Sequence, residues 1–205
     1  MSDSSAPAPA RLYAIILVAV FAISLSAIFI RLAEAPGIVV ALYRMVFAAL
    51  LLTPLTLRGM RATPFSRRTL GYTVLAGIFL AAHFATWITS LSYTTVAASV
   101  TLVTTTPLWI ALFSWLFLGR PPSLGMLMGV LLAVAGGAMI GFGDLAGGSA
   151  PLLGDTLALL GALTVTAYFL LGRQAQRLGL GLTAYAGGAY AVAALVLLPL
   201  PALLR

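Results

Sequence analysis

The sequence predicts an all-α fold, a polytopic transmembrane helical bundle of about seven spans. Three observations carry that expectation. Of 205 residues, 62% are apolar and only 7% are charged, where a soluble domain carries about 25% charge. The mean hydropathy is +1.13, and a water-soluble core cannot hide so much apolar surface, because even a domain of about 150 residues leaves roughly 30% of its surface wet. Finally, the apolar residues fall in continuous runs rather than in the period-two alternation of a membrane barrel. A soluble enzyme is excluded at this step.

A hydrocarbon core of roughly 30 Å needs about 20 apolar residues per helix. Such stretches are Leu12–Leu32, Ile38–Leu57, Leu70–Leu91, Val96–Leu118, Leu124–Phe142, Leu152–Leu171 and Leu182–Leu204. The breaks between them carry turn residues or charge: Glu34 to Gly37, Arg58 to Arg68, Ser92 to Thr95, Gly119 to Pro122, Gly143 to Pro151 and Arg173 to Gly181. The polar segment 1–11 is expected to be a disordered cytoplasmic N-terminus. It lacks the basic start and short apolar core of a signal peptide, and the first span, flanked by Arg11 and Arg31, stays in the membrane.

Arginine placement sets the orientation, because cytoplasmic loops carry the excess of positive charge. All eleven cations are arginines. With the N-terminus inside, Arg11, Arg58, Arg61, Arg67, Arg68, Arg120, Arg173 and Arg177 face the cytoplasm. Arg31 and Arg205 lie outside, with Glu34, Asp144 and Asp155, and Arg44 falls within a span. This distribution accounts for the net charge of +7 without a basic face for nucleic acid. The absence of cysteine excludes disulfides and thiolate chemistry, and the absence of lysine excludes a retinal Schiff base.

The end of span one (Ile28 to Ala33) matches the end of span six (Leu170 to Ala175), and the end of span two around Pro54 matches span seven around Pro199. A repeat of five spans is odd-numbered, so its second copy inserts upside down, as in many secondary transporters. The expected organisation is a first five-helix repeat over 12–142, an extracytoplasmic loop over 143–151, and the first two helices of an incomplete second, inverted copy over 152–205.

The opening span with Arg31, the stretch from Ala41 to Leu55 (ALYRMVFAALLLTPL), the stretch from Ala97 to Gly119 (AASVTLVTTTPLWIALFSWLFLG), the glycine-rich fifth span and the second-repeat opening from Gly154 to Gln174 resemble the EamA family of the drug/metabolite transporter superfamily. The resemblance covers nearly all of 12–205. It implies ten spans, cytoplasmic termini, a central solute pathway, and export or exchange of amino acids or other small metabolites. Arg120 stands where the family pattern usually has Glu, and three of the implied spans are missing, which reads as truncation after the seventh.

Several residues inside the spans are candidates for that pathway. Arg44 lies about 9 Å into span two at 1.5 Å per residue. A cation there is costly, so it either anchors at the outer headgroups or Glu34, toward which helical side chains lean, or contacts an anion or gates the path. His83 and Trp87, followed by Ser90, lie within about 40° on one face of span three. An imidazole there can carry a proton or bond a neighbouring helix, and the indole can stack on a solute or join the outer aromatic belt. Thr101, Thr105 and Trp109 surround Pro107, which kinks span four as a hinge or as a break closed by its own hydroxyls. Gly125, Gly129, Gly137 and Gly141 form two small-xxx-small pairs in span five. Helix packing is the plain reading of these glycines and a homodimer interface the sharper one.

No carboxylate lies deep within a span, Asp155 standing at the outer end of the sixth, and no catalytic, metal or cofactor signature is present, so an enzyme is not expected. The favoured function is a multi-pass secondary transporter, or permease, of a bacterial inner (plasma) membrane. It would export or exchange amino acids or related metabolites by alternating access, with the lipid bilayer and a small solute as partners. The other reading is a truncated, non-transporting membrane protein, or a subunit that needs a partner chain.

Overall fold

The computed structural model describes residues 9–119, 121–143 and 148–203, without the side chains of 9–11, 118, 134, 137, 138, 140–143 and 203. Among the described residues, every regular element is helical. The elements are α1 (Pro9–Leu32), α2 (Gly37–Ala62), α3 (Arg67–Ser90), α4 (Val96–Val103), α5 (Thr106–Leu118), α6 (Leu124–Gly143), α7 (Pro151–Arg177), α8 (Leu182–Leu197) and α9 (Leu200–Leu203). Six segments are long and apolar enough to cross a bilayer: α1 from Leu12, α2, α3, α4 with α5, α7, and α8 running into α9. The 20-residue α6 occupies the fifth expected span. This is a multi-pass helical membrane protein.

Helix boundaries follow local chemistry. At α3 the Ser66 hydroxyl accepts from the Thr69 N–H while the Thr69 side chain accepts from the Ser66 N–H, a reciprocal cap. Thr95 caps α4 by accepting from Ala98 N–H, and α7 starts on Pro151, which has no N–H to orphan. α5 ends at Gly119, whose φ of 62° is the left-handed stop that glycine takes without strain. The breaks expected after spans two and six are present but shorter than expected, at 63–66 and 178–181. α2 runs through Pro54 to Ala62 and α7 to Arg177. Apolar length marks where the lipid ends, but Arg, Gln and Leu are good helix formers, and the backbone ladder continues into the polar zone. Likewise α1 begins at Pro9, ahead of the first apolar run, and residues 1–8 lie outside the described part.

α3 is the hub. It pairs most extensively with α7 and also with α8, which in turn packs on α2. Of its most apolar window, 56% is buried, against 6% for α1. The core joins Ala41 and Met45 of α2 to Leu80, Phe84 and Trp87 of α3 and to Ala193 and Leu197 of α8, with Ala27 of α1 at its margin. Small residues make these approaches possible. A Cβ on Gly77 would lie 2.5 Å from Cβ of Val192, and one on Gly187 would collide with Thr56.

Both ends of the bundle are tied. At one, Gly181 N–H donates to Thr63 Oγ1 at 2.9 Å, joining the α2–α3 connection to the α7–α8 connection. At the other, Arg31 Nη1 donates to the carbonyls of Leu91 and Thr94 at 2.8 and 2.7 Å. There the Thr94 hydroxyl donates to Asp155 Oδ1 at 2.8 Å, and Ala150 N–H donates to Tyr93 O. The turn after α3 is thus held by α1 on one side and α7 on the other.

Candidate functional site

Arg44 sits one face away from the lipid because α2 lays Ala41 and Met45, both fully buried, against the core. Its guanidinium carbon lies 4.9 Å from the centre of the Phe84 ring and 5.6 Å from that of Trp87. Its Nη1 donates to Ser26 Oγ of α1 at 2.6 Å. A cation over desolvated aromatic faces gains about 0.5–2 kcal/mol, well short of a full counter-ion in a low-dielectric setting. Among the described residues Arg44 has no ion pair, and it turns to Ser26 and the rings rather than to Glu34. Beside it opens a cleft of about 620 Å³ between α1 and α2, lined by Arg44, Ser26, Phe29, Val40 and Tyr43 among others.

His83 is buried one turn below. Its Nδ1 is 2.8 Å from the Gly161 carbonyl of α7. A carbonyl only accepts, so in the neutral ring Nδ1 carries the hydrogen and Nε2 keeps a lone pair. The imidazole stacks on Trp87 (centroids 5.8 Å, planes 11° apart) and meets Phe84 edge-on at 4.7 Å. Gly161 allows this close approach, since a Cβ there would lie 3.1 Å from Cβ of Trp87.

Trp87 is 6% exposed, inside the core rather than in a lipid-facing belt, and its indole N–H is buried with no acceptor among the described residues. An unmade hydrogen bond at a buried donor costs about 1–3 kcal/mol, and such orphans call for an explanation. Ser90, the third residue of that face, is turned elsewhere. Its hydroxyl is 2.6 Å both from Trp87 O, to which it donates, and from Ser99 Oγ.

The residues around Pro107 form a separate group. The helix breaks between α4 and α5, and the hydroxyls of Thr104, Thr105 and Thr106 donate back to the carbonyls of Thr101, Leu102 and Val103 at 2.9, 2.6 and 2.7 Å. Thr106 thereby satisfies the carbonyl that Pro107, lacking an N–H, leaves open. Trp109 Nε1 donates to Thr105 Oγ1 at 3.1 Å, and its ring runs on toward Phe113. With Met126 and Gly129 of α6, Thr105 and Pro107 line a second cleft of about 330 Å³. The structure therefore brings Arg44, His83 and Trp87 together and sets Thr101, Thr105, Trp109 and Pro107 apart from them.

The fifth-span glycines are placed differently from the packing glycines of α3, α7 and α8. Among the described residues nothing lies within 4 Å of a Cβ built on Gly125 or Gly129; Gly137 and Gly141 lie in α6 with their surroundings outside the described part, and Arg120 lies outside the described residues. Three partners of the Arg44 cluster escape sequence reasoning: Ser26, Phe84 and Tyr190, which packs on the same core from α8. Phe84 neighbours His83 in the chain and Ser26 belongs to an otherwise apolar run, but only helix rotation shows that both face Arg44.

No curated protein and no solved structure matches the chain. The model of the EamA-like transporter family does, over residues 10–142, a stretch that takes in α1 to α6 and the whole Arg44–His83–Trp87 group. With seven apolar helical segments and a cation held over aromatic rings among them, the chain belongs to the EamA-like transporter family, within the drug/metabolite transporter superfamily.

Proposed function

We propose that this chain is a secondary carrier of a bacterial inner membrane that exports or exchanges amino acids or related small metabolites by alternating access. The observation that carries the reading is the Arg44–Ser26–Phe84–Trp87 group beside an open groove on the α1–α2 face of the bundle. Intramembrane cations are expensive and mark solute or ion paths more often than packing. Pairing of α2 with α8 supports an inverted repeat, because spans two and seven are equivalent under that symmetry and meet across its axis. The α4–α5 break at Pro107 serves as the hinge, and among the described residues no carboxylate pairs with Arg44 to relay protons, which leaves His83 as the titratable group of the pathway.

Proteoliposomes test this. Amino-acid flux should exceed that of empty vesicles and saturate with solute. His83→Asn separates its two roles, since an amide N–H can replace Nδ1–H on the Gly161 carbonyl but cannot take up a proton. If His83 carries protons, the asparagine variant keeps its melting temperature and loses the dependence of flux on a pH gradient. Retained pH-driven flux in that variant would remove His83 from the coupling path, and no flux for any amino acid or organic cation would remove the carrier.

A second reading has one specific observation in its favour: α1, with 6% of its apolar window buried, has little protein against it. A second copy or another chain covering α1 would complete the pathway. Cross-linking of an Ala22→Cys variant in membranes, at the uncovered face that lines the cleft, would reveal such a partner.

A further inference from the structure

We propose that the α1–α2 cleft binds the oxyanion head of a small organic acid with an apolar body, the head being held by Arg44 and Ser26. This deepens the carrier reading and rests on it for the statement that the bound acid is cargo.

Three independent features of the site point the same way. The first is unspent donor capacity. A guanidinium has five N–H donors, and Arg44 makes one side-chain hydrogen bond, to Ser26 Oγ. Because that oxygen accepts from Arg44, the Ser26 hydroxyl hydrogen points onward, and among the described residues no acceptor takes it. The Trp87 indole N–H, on the ring 5.6 Å from the guanidinium carbon, is a further buried donor with no partner among the described residues, but Trp87 belongs to the core under the guanidinium and does not line the cleft. The group therefore offers donors and one positive charge, and it contains no acid.

The second feature is valence. One arginine with no second cation in the cleft matches a group of charge −1, and a planar carboxylate meets a guanidinium through two parallel hydrogen bonds. A doubly charged phosphate would stay half compensated. The third is the wall. Beyond Arg44, Ser26 and Tyr43 the cleft is lined by Ala, Val, Ile and Phe side chains, which accept an aliphatic or aromatic body and set no carboxylate against an ammonium group. A volume near 620 Å³ falls in the range of small-molecule sites, about 300–1,000 Å³. A lipid phosphodiester shares the head-group chemistry, so the test separates the two sources.

Equilibrium binding of radiolabelled phenylacetate to the purified 205-residue chain in lipid-free maltoside micelles is the direct assay. Saturable binding is expected, with phenylacetamide and phenethylamine at least about tenfold weaker, since they lack the charge that Arg44 requires. Arg44→Gln should lose about tenfold or more, and Arg44→Lys should recover part of it. In case Arg44→Gln fails to fold, Ser26→Ala gives a second arm, weakening phenylacetate several-fold at an unchanged melting temperature. Equal affinity for the acid and the amine, or wild-type affinity in Arg44→Gln, overturns the proposal. Saturable binding of added phosphatidylglycerol with none of phenylacetate also overturns it, by assigning the site to lipid. Flux without acid binding would remove this assignment and leave the carrier standing, whereas acid binding without flux would do the reverse.

Discussion

Gly77→Ala is expected to destabilise the protein by about 2 kcal/mol, within the range for overfilling a packed core. For a chain of this size that lowers the melting temperature by roughly 4–8 °C. The added methyl would sit 2.5 and 2.6 Å from Cβ and Cγ1 of Val192 and 2.8 Å from the carbonyl oxygen of Ala189. A side chain could rotate away, but the carbonyl belongs to the α8 backbone, so the whole helix must move off α3. Gly129→Ala is the matched control. Among the described residues nothing lies within 4 Å of the new methyl, and alanine is the better helix former by about 1 kcal/mol at most. The variant should therefore melt at or slightly above the parent. Thermal unfolding followed by size-exclusion fluorescence compares the two, and an equal loss in both would mean that α6 packs as tightly as α8.

Arg31→Ala is expected to cost about 2 kcal/mol and to loosen the turn after α3. The side chain spends Nη1 on two carbonyls, Leu91 and Thr94, in the turn that follows α3. Charge-assisted bonds of this kind contribute about 1.5–3 kcal/mol each where they are shielded, and less where water can replace them. The cation also faces the negative end of the α3 dipole. Since α1 has little other protein against it, the same bonds tether the first span. Hydrogen exchange at the amides of Ser92, Tyr93 and Thr94, which close the turn, should accelerate about 5- to 30-fold. Arg31→Lys should fall between, because the ammonium keeps the charge and has donors for both carbonyls, which Nη1 alone serves in the parent, but sits on a different stem and is more strongly hydrated. Unchanged exchange in Arg31→Ala would show that Asp155 and Ala150 hold the turn without it.

The spans are legible in the sequence because lipid imposes a simple demand, about 20 apolar residues with every backbone group paired internally. The interruption of span four is legible too, since Pro107 cannot close the ladder and the threonines beside it supply the missing donor. Helix ends are less so. Arg58, Arg61, Arg173 and Arg177 mark the membrane boundary, but they continue α2 and α7 rather than end them.

Packing is the least legible level. A small-xxx-small spacing reports that a helix could be approached closely, and says nothing of what approaches it. A Cβ on Gly125 or Gly129 meets nothing among the described residues, whereas Gly77 and Gly187, which share the same spacing with Ala81 and Ala191, lie in close helix contacts, so the spacing alone does not tell the two cases apart. The same limit applies to the site. Arg44, His83 and Trp87 stand out as polar or bulky residues within apolar runs, but the serine that accepts from Arg44 and the phenylalanine beneath it depend on the rotation of α1 and α3. That rotation is set by long-range contacts among helices far apart in the chain, and local periodicity does not fix it.

The proposed orientation of the bundle underlies the rest, because it would place the Arg44 cleft in the outer half of the membrane and the arginine-rich ends of α2, α3 and α7 in the cytoplasm. The chain has no cysteine, so single substitutions report cleanly. Ala62→Cys and Ser92→Cys, both at exposed positions at opposite ends of α3, can be offered a membrane-impermeant maleimide on intact cells. Labelling of Ser92→Cys alone, with Ala62→Cys reacting only after the cells are opened, is the predicted result. Labelling of Ala62→Cys from outside would contradict it, and with it the placement of the site.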